Sequence, residues 1–167
     1  MGLGAQLFTF RDYCKDLSSF AETLKRVADM GYKTVQVSGT CAYEAQWLAD
    51  ELKKNDLRCV LTHTPMDKIR DNTAQVIAEH QTFGCKYVGI GCAPNCFAKG
   101  EEDMKALCDT IDAAGKPLAD SGMLLMYHNH ACEDAGTIHL LVEQDDCYED
   151  PFVCMKKSYD FLHARGL

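Results

Sequence analysis

The chain has 167 residues, 47% of them hydrophobic and 25% charged. That is the length and balance of one soluble globular domain, here taken as residues 1–167. The formal net charge of -8 argues against a nucleic-acid backbone as the main partner, because phosphate binding needs a basic surface. No apolar run approaches the roughly 18 residues of a membrane span. The opening "MGLGAQLFTFRD" lacks the basic region of a secretory signal. The expectation is a cytoplasmic protein whose ten cysteines are free thiols in a reducing compartment.

Short β-type runs alternate with helical patterns along the chain. The predicted strands are "AQLFTF" (Ala5 to Phe10), "TVQVSG" (Thr34 to Gly39), "CVLTHT" (Cys59 to Thr64), "YVGIG" (Tyr87 to Gly91) and "LLMYHN" (Leu124 to Asn129). Between the first two, "SSFAETLKRVADMGY" spaces Ser19 and Glu22 as a capping box and stops at Gly31. "YEAQWLADELKKNDL" turns Trp47, Leu48 and Leu52 to one side and ends at Asn55. "NTAQVIAEHQTFG" ends at Gly84, and "EEDMKALCDTIDAAG" is a fourth helix, with Pro117 in a following turn or second helical piece. "EDPFVCMKKSYDFLHARGL" reads as a closing helix with Asp150 as cap, Pro151 at its first position and Gly166 beyond its end. Strict alternation implies a parallel sheet covered by helices. Two architectures fit: an open doubly wound sheet, or five of the eight βα units of a barrel.

Both architectures bind ligands at the C-terminal strand ends. There the sequence collects Thr9, Arg11, Gln36, Ser38, His63, Thr64, Gly91, Cys92, His128, Asn129 and His130. His128 and His130, two apart in an extended strand, face the same way. They can share a metal or a substrate, or be satisfied by backbone at a solvent edge. Glu133 beyond them is a ligand, an acid/base group or a solvated loop residue. His63 lines a pocket or caps the next helix. Arg11 binds an anion or pairs with Asp12. His80, His139 and His163 fall in helical patterns, as surface or packing residues. Cys92 and Cys96 in "CAPNC" have half-site spacing without a second Cys pair at finger-like spacing. Neither G-x-G-x-x-G nor G-x-x-x-x-G-K-[ST] occurs, which lowers the case for dinucleotide or NTP chemistry.

Several pieces taken in order resemble the sugar phosphate isomerase/epimerase proteins of the xylose isomerase-like TIM-barrel superfamily. They are "GAQLFTFRD", "LKRVADMGYKTVQVSG", "LTHTPMDKI", "HQTFGCKYVGIG" and "SGMLLMYHNHACE", which together cover most of residues 3 to 133. The resemblance implies a partial (β/α)8 barrel that breaks off after its fifth strand. It implies a divalent metal, Mn²⁺ first, with Zn²⁺, Co²⁺ or Mg²⁺ as alternatives. The chemistry implied is metal-assisted proton transfer on a sugar, sugar phosphate or cyclitol. Carried onto this chain, it gives Glu133 and His130 catalytic roles, Arg11, His63 and Asn129 substrate contacts, and His128 and Glu133 the metal. His128 stands where related epimerases carry a glutamate. The partner expected is a small carbohydrate, with neither nucleic acid nor membrane, and a homo-oligomer through open sheet edges. A dehydratase-like lyase and a non-catalytic half-barrel that needs a partner chain are the other readings; endonuclease activity fits the acidic charge least.

Overall fold

A computed structural model describes residues 2–91, 101–128, 139–143, 147 and 149–166. Its strands are β1 (Gly2–Gln6), β2 (Thr34–Val37), β3 (Arg58–His63), β4 (Tyr87–Ile90), β5 (Leu124–Tyr127) and β6 (His139–Val142). Its helices are α1 (Leu17–Asp29), α2 (Ala45–Lys54), α3 (Met66–Asp71), α4 (Thr73–Thr82), α5 (Glu101–Asp120) and α6 (Pro151–His163). The strands form one parallel sheet in the order β5-β4-β3-β2-β1-β6.

The parallel sheet covered by helices is the one expected, with one strand more than the five read from the sequence. A sixth strand lies parallel to β1, with Leu3 opposite Leu140 and Ala5 opposite Val142. That flank of β1 is where the eighth strand closes a complete barrel. Only residues 128–138 separate β5 from β6, whereas two further βα units would need roughly 60 residues. His139 accordingly opens a strand and is not helical.

Local chemistry moves other boundaries. The first strand ends at Gln6, four residues before the expected end at Phe10. The Gln6 side chain accepts a hydrogen bond from the Phe8 N–H at 2.9 Å, which turns Leu7–Tyr13 into a 3-10 segment. The capping box of α1 uses Asp16 with Ser19, not Ser19 with Glu22: Asp16 accepts from the Ser19 N–H at 2.9 Å and its own N–H donates to Ser19 Oγ at 3.3 Å. Gly31 does end that helix, at φ +111°, and Tyr159 stands 2.6 Å from where a Cβ would be. Pro117 lies inside α5, which continues to Asp120. The short α3 was not expected. It follows directly on Pro65, too brief to show a periodic face. The cap and closing residues of α6 are those expected: Asp150 accepts from the Phe152 N–H at 2.8 Å.

Alternation sorts the strand residues into two faces. Ala5, Val35, Val37, Val88 and Ile90 pack under the helices in two clusters. The second cluster joins Val88 and Ile90 to Ile69, Val76, Ala114 and Leu118. The last βα unit docks through aromatic contacts. Phe152 stacks on Phe10 with centroids 4.5 Å apart and meets Tyr13 edge-on, and the Arg26 guanidinium lies 3.3 Å from its ring centre. The Tyr32 hydroxyl donates to the Met155 carbonyl at 2.9 Å. Phe152→Ala should therefore lower unfolding stability by about 3 kcal/mol, read from urea denaturation. A loss near zero would mean that α6 does not hold this position.

Candidate functional site

The parallel sheet brings the tips of β2, β3, β4 and β5 to one end, and His63 is the centre of what gathers there. A β-bulge decides its surroundings. Val35 pairs with Cys59, but Gln36 pairs with Leu61, so β3 carries one extra residue between them. Val37 then faces Thr62, which sets Ser38 beside His63. Ser38 Oγ lies 2.9 Å from His63 Nδ1, and Gln36 Nε2 lies 2.6 Å from His63 Nε2. The Gln36 amide nitrogen can only donate, so Nε2 of the ring accepts and Nδ1 carries the proton and donates to Ser38. Gln36 and Ser38 are themselves buried.

Gly91 makes room for this ring. A Cβ there would sit 2.6 Å from His63 Nδ1 and 2.7 Å from Cγ. The His128 ring stands 5.0 Å from that of His63, centroid to centroid, at 58°, and the His128 N–H donates to the Ile90 carbonyl at 3.0 Å. Burial first, and then the neighbouring His128, lower the His63 pKa to about 4. At neutral pH the site therefore presents an uncharged imidazole whose two nitrogens are both engaged by protein.

The predicted site residues divide three ways. His63 and His128 come together, and His63 does not cap α3, which Pro65 precedes. Arg11 reaches the same end: its Cβ would be 3.2 Å from a Cβ on Gly39, the residue after Ser38. Its guanidinium donates to the Phe8 carbonyl at 3.1 Å and lies 4.7 Å over the Phe8 ring. Asp12, its proposed partner, pairs with Lys15 at 3.1 Å. Asn129, His130 and Glu133, like Cys92 and Cys96, lie outside the described residues. His80 is a packing residue: its Nε2 lies 2.8 Å from Thr62 Oγ1 and its Nδ1 2.8 Å from the Val76 carbonyl oxygen. Sequence reasoning placed Gln36, Ser38 and Gly91 at strand tips but missed that they hold and clear space for His63. The signal was there in two polar residues, two apart, at a strand end.

No protein-family model and no curated protein matches the sequence. Solved structures do share the fold. An AP endonuclease, family 2, from Brucella melitensis superposes with a TM-score of 0.60 at 17% identity, over 76% of this chain and 55% of that one. A sugar phosphate isomerase/epimerase from Parabacteroides distasonis gives 0.59 at 20% identity, over 78% and 55%. An IolI protein with a bound zinc atom gives 0.52 at 14% identity, over 76% and 51%. The chain shares its fold with these structures and spans about half their length. Among the described residues no helix is long and apolar enough to cross a membrane.

The buried imidazole sets a pH dependence. Unfolded, His63 takes up a proton near 6.5; folded, only near 4. Between those values the unfolded chain holds more protons, so stability falls as pH drops from about 6.5 toward 4. His80, whose pKa burial also lowers, adds in the same direction. His63→Gln should flatten the slope of stability against pH in this window, and NMR should show the His63 ring titrating near pH 4. Titration near 6.5 would contradict the buried, doubly bonded geometry.

Proposed function

We propose that the chain belongs to a carbohydrate isomerase or epimerase system, acting by proton transfer beside a carbonyl at the C-terminal strand ends. The observation that carries this reading is the His63–His128 pair, set by Gln36 and Ser38, at the ligand-binding end of a fold shared with a sugar phosphate isomerase/epimerase. A neutral imidazole suits a polyol: with both nitrogens bonded to Gln36 and Ser38, it offers the sugar an uncharged ring. In this reading His63, Arg11 and Asn129 orient the sugar. Glu133 removes the proton next to the carbonyl and His130 supplies one to the opposite side.

The reading includes a divalent ion, Mn²⁺ first, on His128 and Glu133. The described residues alone do not fit one. No group of three or more His, Cys, Asp or Glu side chains among them could hold an ion, and His63 has both nitrogens committed.

Two measurements test the proposal. Incubating the chain with ketoses and sugar phosphates in D₂O should place solvent deuterium on the carbon beside the carbonyl. Glu133→Gln or His130→Asn should slow that exchange at least 100-fold. Absence of exchange with every substrate, with and without Mn²⁺, Co²⁺ or Zn²⁺, would sink the reading. A metal at 100 times its dissociation constant should also raise stability by about 2.7 kcal/mol.

The edge of β5 favours a second reading, a half-barrel that works with a partner chain. Leu124, Met126 and Tyr127 are exposed large apolar side chains, on a strand that pairs only with β4 among the described strands. Such edges recruit further strands. A homo-oligomer is the expected form, with Met126→Lys shifting it to monomer in light scattering. A wild-type monomer at all concentrations would remove this reading.

A further inference from the structure

We propose that a cleft at the N-terminal strand ends, opposite the end that carries His63, is a second ligand site, for a small organic anion bearing a phosphoryl group. Lys53, Arg58 and Lys86 hold the phosphoryl group, and Phe83 and Tyr87 receive the organic part.

The cleft lies where α2 and α4 end and β3 and β4 begin, and offers about 780 Å³, a volume in the range of small-molecule sites. Arg58 is the first residue of β3 and His63 the last, so the two ends lie about 17 Å apart along the strand. Backbone bonds fix where two of the cations start. The Arg58 N–H donates to the Lys33 carbonyl at 3.1 Å, and the Lys86 carbonyl accepts from the Leu124 N–H at 2.9 Å. The Phe83 ring rests against His80, with centroids 4.9 Å apart.

The three cations are set apart by what they lack. Ten lysines and arginines among the described residues form ion pairs with Asp or Glu. Arg11, Arg26 and Arg165 lie over aromatic rings. Lys53, Arg58 and Lys86 do neither among the described residues, and all three line this one cleft. Asp56, which Lys33 and more weakly Arg58 hold below the usual carboxylate range, pairs with Lys33 at 2.6 Å. The carboxylate in the lining, Asp50, accepts from Gln46 Nε2 at 3.0 Å. The lining thus sets three positive charges against one negative, in a chain whose net charge is -8.

Like charges gathered in one cleft repel, and an anion among them offsets that cost. Lys53 lies in the last turn of α2, where a cation also opposes the helix dipole. Arg58 and Lys86 lie outside the helices, so the dipole does not account for them. A phosphoryl dianion accepts charge-assisted hydrogen bonds from all three, and the planar fork of Arg58 matches two of its oxygens. The phosphoryl group fills only part of the cleft. The remaining room, beside the half-buried Phe83 and Tyr87, takes an apolar or planar group.

The test is an NMR titration of the whole chain at neutral pH with phenyl phosphate, and with inorganic phosphate as the same probe without its ring. Phenyl phosphate should shift the Lys53, Arg58 and Lys86 amides together on one saturating curve, at lower concentration than inorganic phosphate. Arg58→Gln and Lys86→Gln should each weaken binding about tenfold, the loss of one charge-assisted hydrogen bond. Both changes are at exposed side chains, so the melting temperature should stay that of the wild type. No saturation up to millimolar phenyl phosphate would overturn the proposal, as would inorganic phosphate binding equally well. Equal shifts at Lys105 and Lys116, which would mean charge screening alone, or shifts centred on His63, would overturn it too.

Discussion

The structure depends on β1 being paired on both sides. β2 and β6 each run parallel to it, and Gly4 allows the approach: a Cβ there would stand 2.4 Å from Leu141 Cδ2 and 2.6 Å from Thr34 Oγ1. Those neighbours close over the helix-free face of β1, while Leu3 and Ala5 on its other face join the main core. That core also contains Phe152 and Met155 of α6, so the start and the late part of the chain share one apolar cluster. Without the β1–β6 ladder α6 would lose the strand that positions it, and the ring of Phe10 would lose its stacking partner.

The candidate site inherits its order from the same sheet. Parallel strands release their chains at one end, which explains why Gln36, Ser38, His63, Gly91 and His128 are neighbours although spread over ninety-odd residues of sequence. The bulge between Val35 and Gln36 supplies the finer adjustment. An unbroken register would set Ser38 opposite Thr62; with one residue inserted it meets His63 instead. Thr62 then faces the helices, where it binds His80. One extra residue thereby assigns one histidine to the C-terminal strand ends and the other to the core.

Strand and helix identities were legible because each depends on local periodicity. Asp150, Pro151 and Gly166 announce α6, and Gly31 and Gly84 take the positive φ expected after helices. What escaped depends on contacts distant in sequence or too short to be periodic. β6 is four residues long and earns its strand identity from β1. Gln6 ends β1 through a side-chain bond that no hydrophobic pattern reveals. The histidine tips were visible as polar residues after apolar runs, but the partners of His63 come from another strand.

The open sheet and the incomplete donor set among the described residues have one origin. The ligands implied by the resemblance come mostly from late barrel strands, and the chain passes from β5 to β6 through residues 128–138 alone. The strand edge of β5 that lacks a neighbour among the described strands is the edge where the next barrel strand would stand. His128 follows immediately after β5, with its ring 5.0 Å from that of His63. A second chain placed against Leu124, Met126 and Tyr127 would bury an apolar edge and set its own side chains beside His128. Assembly and completion of the site would then be the same event, so activity would rise with protein concentration in step with association.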